Sequence, residues 1–236
     1  MRKFMEKFIV ITCIIVFALC GCSENKTGAS EAGDSAAAAS AIILKKDGSI
    51  ESSLAVEGFG ADYSEEGLES LINTSITAYQ NQAAQAQVSL KSCKKDNQDK
   101  LSVKMVFGDW TSYAGWNNYF LDYMYASEMG NETGTIENST DGFFAGTISD
   151  AYNAGYGLDA TLTAASENSA KQSVTKTDLL NMGENHIVIL ARYGDDEPIT
   201  VNCYNDILYV SDGVSVTGKK SATVDAMDGY GIIVFQ

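Results

Sequence analysis

Residues 41–107 constrain the fold most tightly, because three hydrophobic periods follow one another there without interruption. Ile42, Leu44 and Lys46 fall on one side of a first extended stretch, and Ile50, Ser52, Leu54 and Val56 on one side of a second. This is the two-residue period of strands, and the Asp47-Gly48 between them is the dipeptide favoured in a type I′ hairpin turn. The period then changes. Leu68, Leu71, Ile72, Ile76, Tyr79 and Ala83 recur at three and four, which draws one apolar stripe along a helix and leaves Glu69, Asn73 and Gln80 to solvent. Asp62 and Glu65 stand in capping-box spacing at its start. Val88 and Leu90, a polar turn over 94–99, and Leu101, Val103, Met105 and Phe107 form a second hairpin. The order ββαββ predicts an antiparallel sheet crossed by a helix.

Residues 107–125 hold eight of the chain's 23 aromatic side chains, both tryptophans among them. Tyr113, Trp116, Phe120 and Tyr123 share one helical face, which predicts a helix over 111–128. Beyond it, strands are expected over 143–148, 187–190, 199–204, 207–211, 214–217 and 232–235. Two short helices are expected, one capped by Ser149 and closed at Gly155, the other over 176–182 and stopped by Gly183. The run Ile187–Leu190 is apolar at every position, as in a strand covered on both faces. Asp212-Gly213 and Asp228-Gly229 repeat the turn dipeptide. The expected fold class is therefore α+β: antiparallel sheets built from hairpins, with one long amphipathic helix and one aromatic-rich helix packed on them. The folded domain spans 41–236, with subdomains over 41–130 and 131–236 as one way of dividing it.

Chemistry is sparse. His186 is the single histidine, and it opens a strand with no nucleophile motif beside it. H-E-x-x-H, G-x-S-x-G, P-loop and G-x-G-x-x-G patterns are absent, so no catalytic residue, metal ligand or cofactor is assigned. Asp195-Asp196-Glu197 reads as a solvated acidic turn. The aromatic segment offers the one candidate binding surface. Trp110, Tyr113, Trp116 and Tyr119 present flat apolar rings with polar rims, and Asn117 lies among them as a hydrogen-bonding partner for hydroxyls. That mix suits a neutral glycan or a protein partner. The competing reading is a helix that is apolar nearly all round because it is buried.

The chain has a formal charge of −15, with 16 basic and 31 acidic side chains. Arg2, Lys3 and Lys7 against Glu6 in the first 21 residues leave about −17 on the remainder. Such a domain repels nucleic acid and anionic lipid headgroups. Cys93 and Cys203 either pair or stay as two buried thiols, because spacing alone does not bring their Cα atoms together.

The N-terminus has a different character. Arg2, Lys3 and Lys7 precede an apolar run of about a dozen residues, Phe8 to Leu19, too short to span a bilayer. The run closes on Leu19-Cys20-Gly21-Cys22, which resembles a bacterial lipobox. Residues 1–21 are then a lipoprotein signal peptide. Cys22 becomes the lipidated first residue, and 22–40 is a polar tether reaching about 23 Å on average and roughly 60 Å when stretched. Leu44-Lys45-Lys46-Asp47-Gly48-Ser49-Ile50, Tyr152-Asn153-Ala154-Gly155-Tyr156 and Ile207-Leu208-Tyr209-Val210-Ser211-Asp212-Gly213 resemble a group of uncharacterised lipoproteins of Gram-positive bacteria. The resemblance implies a palmitoylated, membrane-anchored protein with an extracytoplasmic domain. It supplies no activity and no catalytic residue. The expected function is a non-catalytic surface binding protein; the alternative is a cell-envelope enzyme working on glycan or peptidoglycan through carboxylates.

Overall fold

The computed structural model describes residues 39–56, 64–95, 100–128, 142–165, 174–192 and 197–236. Cys22 and the tether as far as residue 38, Asp62, the turn residues 96–99, Asp195 and Asp196 lie outside them. So do the side chains of Tyr123 and Tyr125.

The first half folds as its periodicity dictates. Strands β1 (Ala41–Leu44) and β2 (Ile50–Val56) pair antiparallel; helix α1 (Glu65–Gln82) follows, then β3 (Val88–Lys95) and β4 (Leu101–Phe107), also antiparallel. Helix α1 is capped by Ser64, whose hydroxyl accepts from the Gly67 amide at 3.0 Å. This corrects the Asp62 capping box: a serine oxygen directly before the first turn reaches an orphan amide from the position an N-cap must occupy. Leu68, Ile72, Ile76 and Tyr79 bury the predicted stripe.

The first hairpin also differs from expectation. Leu44 pairs with Ile50, which leaves residues 45–49 in a five-residue loop rather than a two-residue type I′ turn. Gly48 has φ +86°, and Asp47 Oδ1 accepts from the Ser49 amide at 3.0 Å and its hydroxyl at 2.7 Å. Backbone bonds from the Lys45 amide to Ser49 O and from the Gly48 amide to Lys45 O close the turn, the Asp47 side chain reinforces it, and its bonds to Ser49 hold its carboxyl below the usual range.

After β4 come α2 (Trp110–Glu128), β5 (Phe143–Thr147), α3 (Ile148–Asn153), β6 (Leu162–Ala164), α4 (Lys176–Asn181) and β7 (His186–Arg192). Strands β8 (Ile199–Asn202), β9 (Ile207–Ser211), β10 (Val214–Gly218), β11 (Ser221–Val224) and β12 (Gly229–Phe235) complete the described residues. Thr147 caps α3 through the Asp150 amide, two residues ahead of the expected Ser149. Thr175 and Asp178 form a full capping box on α4.

Two sheets result, and the α+β class stands. The first has the order β10-β11-β8-β1-β2-β4-β3, the second β5-β7-β12-β9-β6. Every strand pairing is antiparallel except β1 with β8. A division of the chain near residue 130 would cut through the first sheet, which takes β8, β10 and β11 from the second half. Asp212-Gly213 and Asp228-Gly229 are not hairpin turns. Each carries the chain from one sheet to the other, β9 to β10 and β11 to β12.

The second sheet is covered on both sides. Val188, Leu190, Ile233 and Phe235 face the first sheet, sharing a core with Ile42, Val201, Ala222 and Val224. Ile187, Ile189, Ile232 and Val234 point the other way, onto α3, α4 and Leu158. This alternation explains why β7 is apolar at successive positions. The sheets approach closely at Gly231, where any Cβ would collide with Val224.

Cys93 and Cys203 are both buried and both free. Cys93 lies on β3 and Cys203 follows β8, with β1, β2 and β4 between them. Four strand spacings amount to about 19 Å, far beyond the roughly 7 Å limit for a disulfide. Burial raises their thiols to about 11 and about 12. Both should resist a thiol reagent in the native chain and react in denaturant. Peptide mapping after alkylation checks this, and a native-state Cys93–Cys203 cross-linked peptide would contradict it.

Candidate functional site

Helix α2 occupies the junction of both sheets and α1. Asp109 starts it: Oδ1 accepts from the Ser112 amide at 2.7 Å and from the Thr111 hydroxyl at 2.7 Å. These bonds outweigh its partial desolvation and keep the carboxyl below its ordinary value of 3.8. One turn later, Tyr113 bridges the sheets, with its ring 5.1 Å from Phe107 and 4.6 Å from Phe143. Trp116 and Tyr119 meet Tyr79 of α1 at 5.6 and 5.0 Å.

The aromatic segment is therefore largely core. Trp116 is 4% exposed and Tyr119 2%, and Tyr113 is also buried. Burial lifts the Tyr113 hydroxyl to about 12, although the Asn117 side chain bonds to it. Three of the five candidate ligand residues, Tyr113, Trp116 and Tyr119, thus have no ring face to offer a glycan. Their rings instead tie α1, α2 and the two sheets together. Trp110 is half-buried, 4.8 Å from Phe144, and packs against both cores. Asn117 is half-buried beside Tyr113.

The start of α2 borders a cleft, with Thr111 exposed at its rim. Thr111, Ser112 and Gly115 form one wall of this cleft of about 390 Å³, and Tyr79 with residues 82–86 forms the other. A second cleft of about 540 Å³ adjoins it across Ala86, reaching Gln87, Gly108 and the Asp47–Ser49 turn. Ser112 Oγ accepts from the Gln87 amide at 3.1 Å, and the Gly108 amide donates to Gln87 O at 2.8 Å. Gln80 Nε2 donates to Val88 O at 3.1 Å. Backbone and side chains thus fix the walls. The residues lining the two clefts include two carboxylates, Asp47 and Asp109, and no lysine or arginine.

Tyr79 is the residue that sequence reasoning missed as a polar group, because its place in the apolar stripe of α1 marks it as core. Its ring is core, at 2% exposed. Its hydroxyl, however, lies against Gly115 so closely that a Cβ there would collide with it. A glycine inside a helix costs about 1 kcal/mol relative to alanine. Gly115 in the middle of α2 was the available signal that something must pass close to that backbone.

His186 lies elsewhere, at the start of β7. Its ring stacks on Phe235 at 5.4 Å and meets Tyr204 edge-on at 5.4 Å. Nδ1 is buried without a hydrogen-bond partner. Burial lowers the imidazole below its ordinary 6.5, with Asp150 opposing the shift. The unfolded chain then binds the proton more readily than the folded one. Stability should be full above about pH 6.5, fall as pH drops through that value and level off below the folded value. Urea midpoints between pH 8 and 5 test this, and a His186→Gln chain should lose the step. The lowered carboxyls of Asp47, Glu51, Asp109 and Asp178 act in a separate window, below their ordinary 3.8 to 4.5.

Among the described residues no three His, Cys, Asp or Glu side chains gather as a metal site. No helix among them is long and apolar enough to cross a membrane. Comparison with protein-family models, curated proteins and solved structures returns no match to this chain.

Proposed function

We propose that the protein is a lipoprotein held at the outer face of the cell membrane, where its α+β domain binds a ligand without chemical turnover. The observation that carries this is Leu19-Cys20-Gly21-Cys22 closing a short apolar run behind Arg2, Lys3 and Lys7. A thioether-linked diacylglycerol on Cys22 would supply at least two acyl chains and stable attachment, since one chain alone holds a protein only marginally. Residues 1–21 are removed, 22–40 act as tether, and 41–236 form the binding domain. The net charge of about −17 favours a neutral or cationic ligand over a phosphate-rich one.

Four acids of the domain are set against a general-acid role. Asp47, Glu51, Asp109 and Asp178 all have lowered pKa values, from local hydrogen bonds or from Lys45 and Lys91 beside Glu51. A carboxyl general acid at neutral pH requires the opposite shift. Metabolic labelling with a clickable palmitate analogue, followed by membrane fractionation, tests the anchor; an unlabelled, fully soluble protein would refute it.

A further inference from the structure

We infer that the cleft between the end of α1 and the first turn of α2 binds a neutral saccharide, with the Tyr79 hydroxyl and the Asp109 carboxylate as its principal hydrogen-bonding groups. The inference rests on the binding-protein reading above and adds to it a site and a ligand class.

Three features converge. Tyr79 is 2% exposed, yet its hydroxyl has no hydrogen-bond partner among the described residues and lies on the cleft wall beside Gly115. Its oxygen keeps accessible surface on the cleft, where water or a ligand hydroxyl can bond it. Gly115 lets the Tyr79 ring pack on Trp116 and Tyr119 while its hydroxyl reaches the cleft, where a ligand can meet it. Asp109 supplies the second group. Hydrogen bonds from Thr111 and Ser112 fix the carboxylate on the cleft wall, where it can accept from a ligand hydroxyl. The rest of the lining is amide, hydroxyl and methyl: Gln82, Gln85, Thr111, Ser112, Ala83 and Ala84. An ionised acceptor, an unpaired phenol and uncharged amides without any base match a polyhydroxylated, uncharged ring. They repel an anion. A volume of about 390 Å³ falls in the range of small-ligand sites.

The test uses the full-length chain in a detergent that carries no sugar headgroup. Chitotetraose is the neutral probe, and its fully deacetylated amine form is the cationic one. Tryptophan emission reports binding, because Trp116 touches Tyr79 at 5.6 Å. Saturation by the neutral probe is expected. Tyr79→Phe should weaken it about five- to tenfold, as one neutral hydrogen bond is worth. It should leave Tm unchanged or slightly higher, since the hydroxyl it removes has no partner. Asp109→Asn should weaken binding about tenfold or more while keeping the helix, because asparagine caps as well as aspartate.

Absence of saturation, saturation indifferent to both variants, or preference for the amine probe would each overturn the inference. So would a Tm loss of several degrees in Tyr79→Phe, which would show the hydroxyl to be structural. Anchoring has its own readout. A chain acylated at Cys22 that binds no saccharide loses this site alone, and one that binds saccharide without acylation loses only the anchor.

Discussion

Cys22→Ala is expected to move the protein from the membrane pellet to the soluble fraction and to abolish incorporation of labelled fatty acid. The effect should be close to complete, because it removes all of the attachment energy at once. Each buried methylene contributes about 0.8 kcal/mol, so two or three chains hold the protein essentially irreversibly, while none leaves a strongly acidic domain that anionic headgroups repel. The domain itself should be untouched, and its circular dichroism and melting should match those of the parent. Cys20→Ala makes the informative control. It lies two residues away inside the same tetrapeptide and should keep both labelling and membrane association. Labelling that persists in Cys22→Ala would place the acyl group elsewhere and remove the basis for the proposed anchor.

Phe235→Ala is expected to destabilise the domain by about 3–5 kcal/mol, the usual cost of emptying a fully buried phenylalanine site. Phe235 is 2% exposed on β12, in ladder register with His186 on one side and Ile207 on the other. Its ring also meets Tyr204 at 5.0 Å, so its loss opens a cavity between the sheets. Domains of this size carry roughly 5–15 kcal/mol in total, and the variant should sit near the edge of folding at 37 °C. Tyr230→Ala on the same strand is the comparison. Tyr230 is exposed, and its removal should change stability by no more than about 0.5 kcal/mol. Urea unfolding of the three chains measures both effects. A Phe235→Ala chain within 1 kcal/mol of the parent would mean the inter-sheet core can close over the gap.

The two variants probe parts of the molecule that differ in how legible they were in the sequence. The ββαββ half could be read directly, because alternation and the three-four repeat record which side chains are buried, and Ile42, Leu68, Ile72, Val103 and Phe107 are buried. Turn dipeptides carried less. Asp-Gly fixes a positive φ at Gly213 and Gly229, but nothing local says which strand the chain pairs with next, and at both places it changes sheet. The parallel pairing of Ala41–Ile43 with Thr200–Asn202 was equally hidden, since it joins segments far apart in the chain. At the candidate site, composition located the aromatic concentration but not its exposure. Tyr113, Trp116 and Tyr119 are enclosed because α2 is wedged among three other elements, and helical period alone cannot report how many faces are covered. The accessible groups, Tyr79 and Asp109, were disguised as a core residue and a helix start.

The position of β1 has a mechanical consequence. It is the fourth strand of seven, bonded to β2 on one edge and to β8 on the other, and the chain enters it from Ser40, the end to which the proposed anchor would connect. A pull transmitted from the proposed anchor along this strand would run parallel to it. Inter-strand hydrogen bonds lie across that direction, so the load is shared as shear over both ladders rather than peeling them open bond by bond. The five-residue loop and the clefts beside it lie at the far end of the strands. From Ala55, which bonds Ser40, to Ile50 at that end is about 17 Å of strand. A ligand held there while the tether is drawn taut would stretch the domain across the middle strand of its seven-stranded sheet.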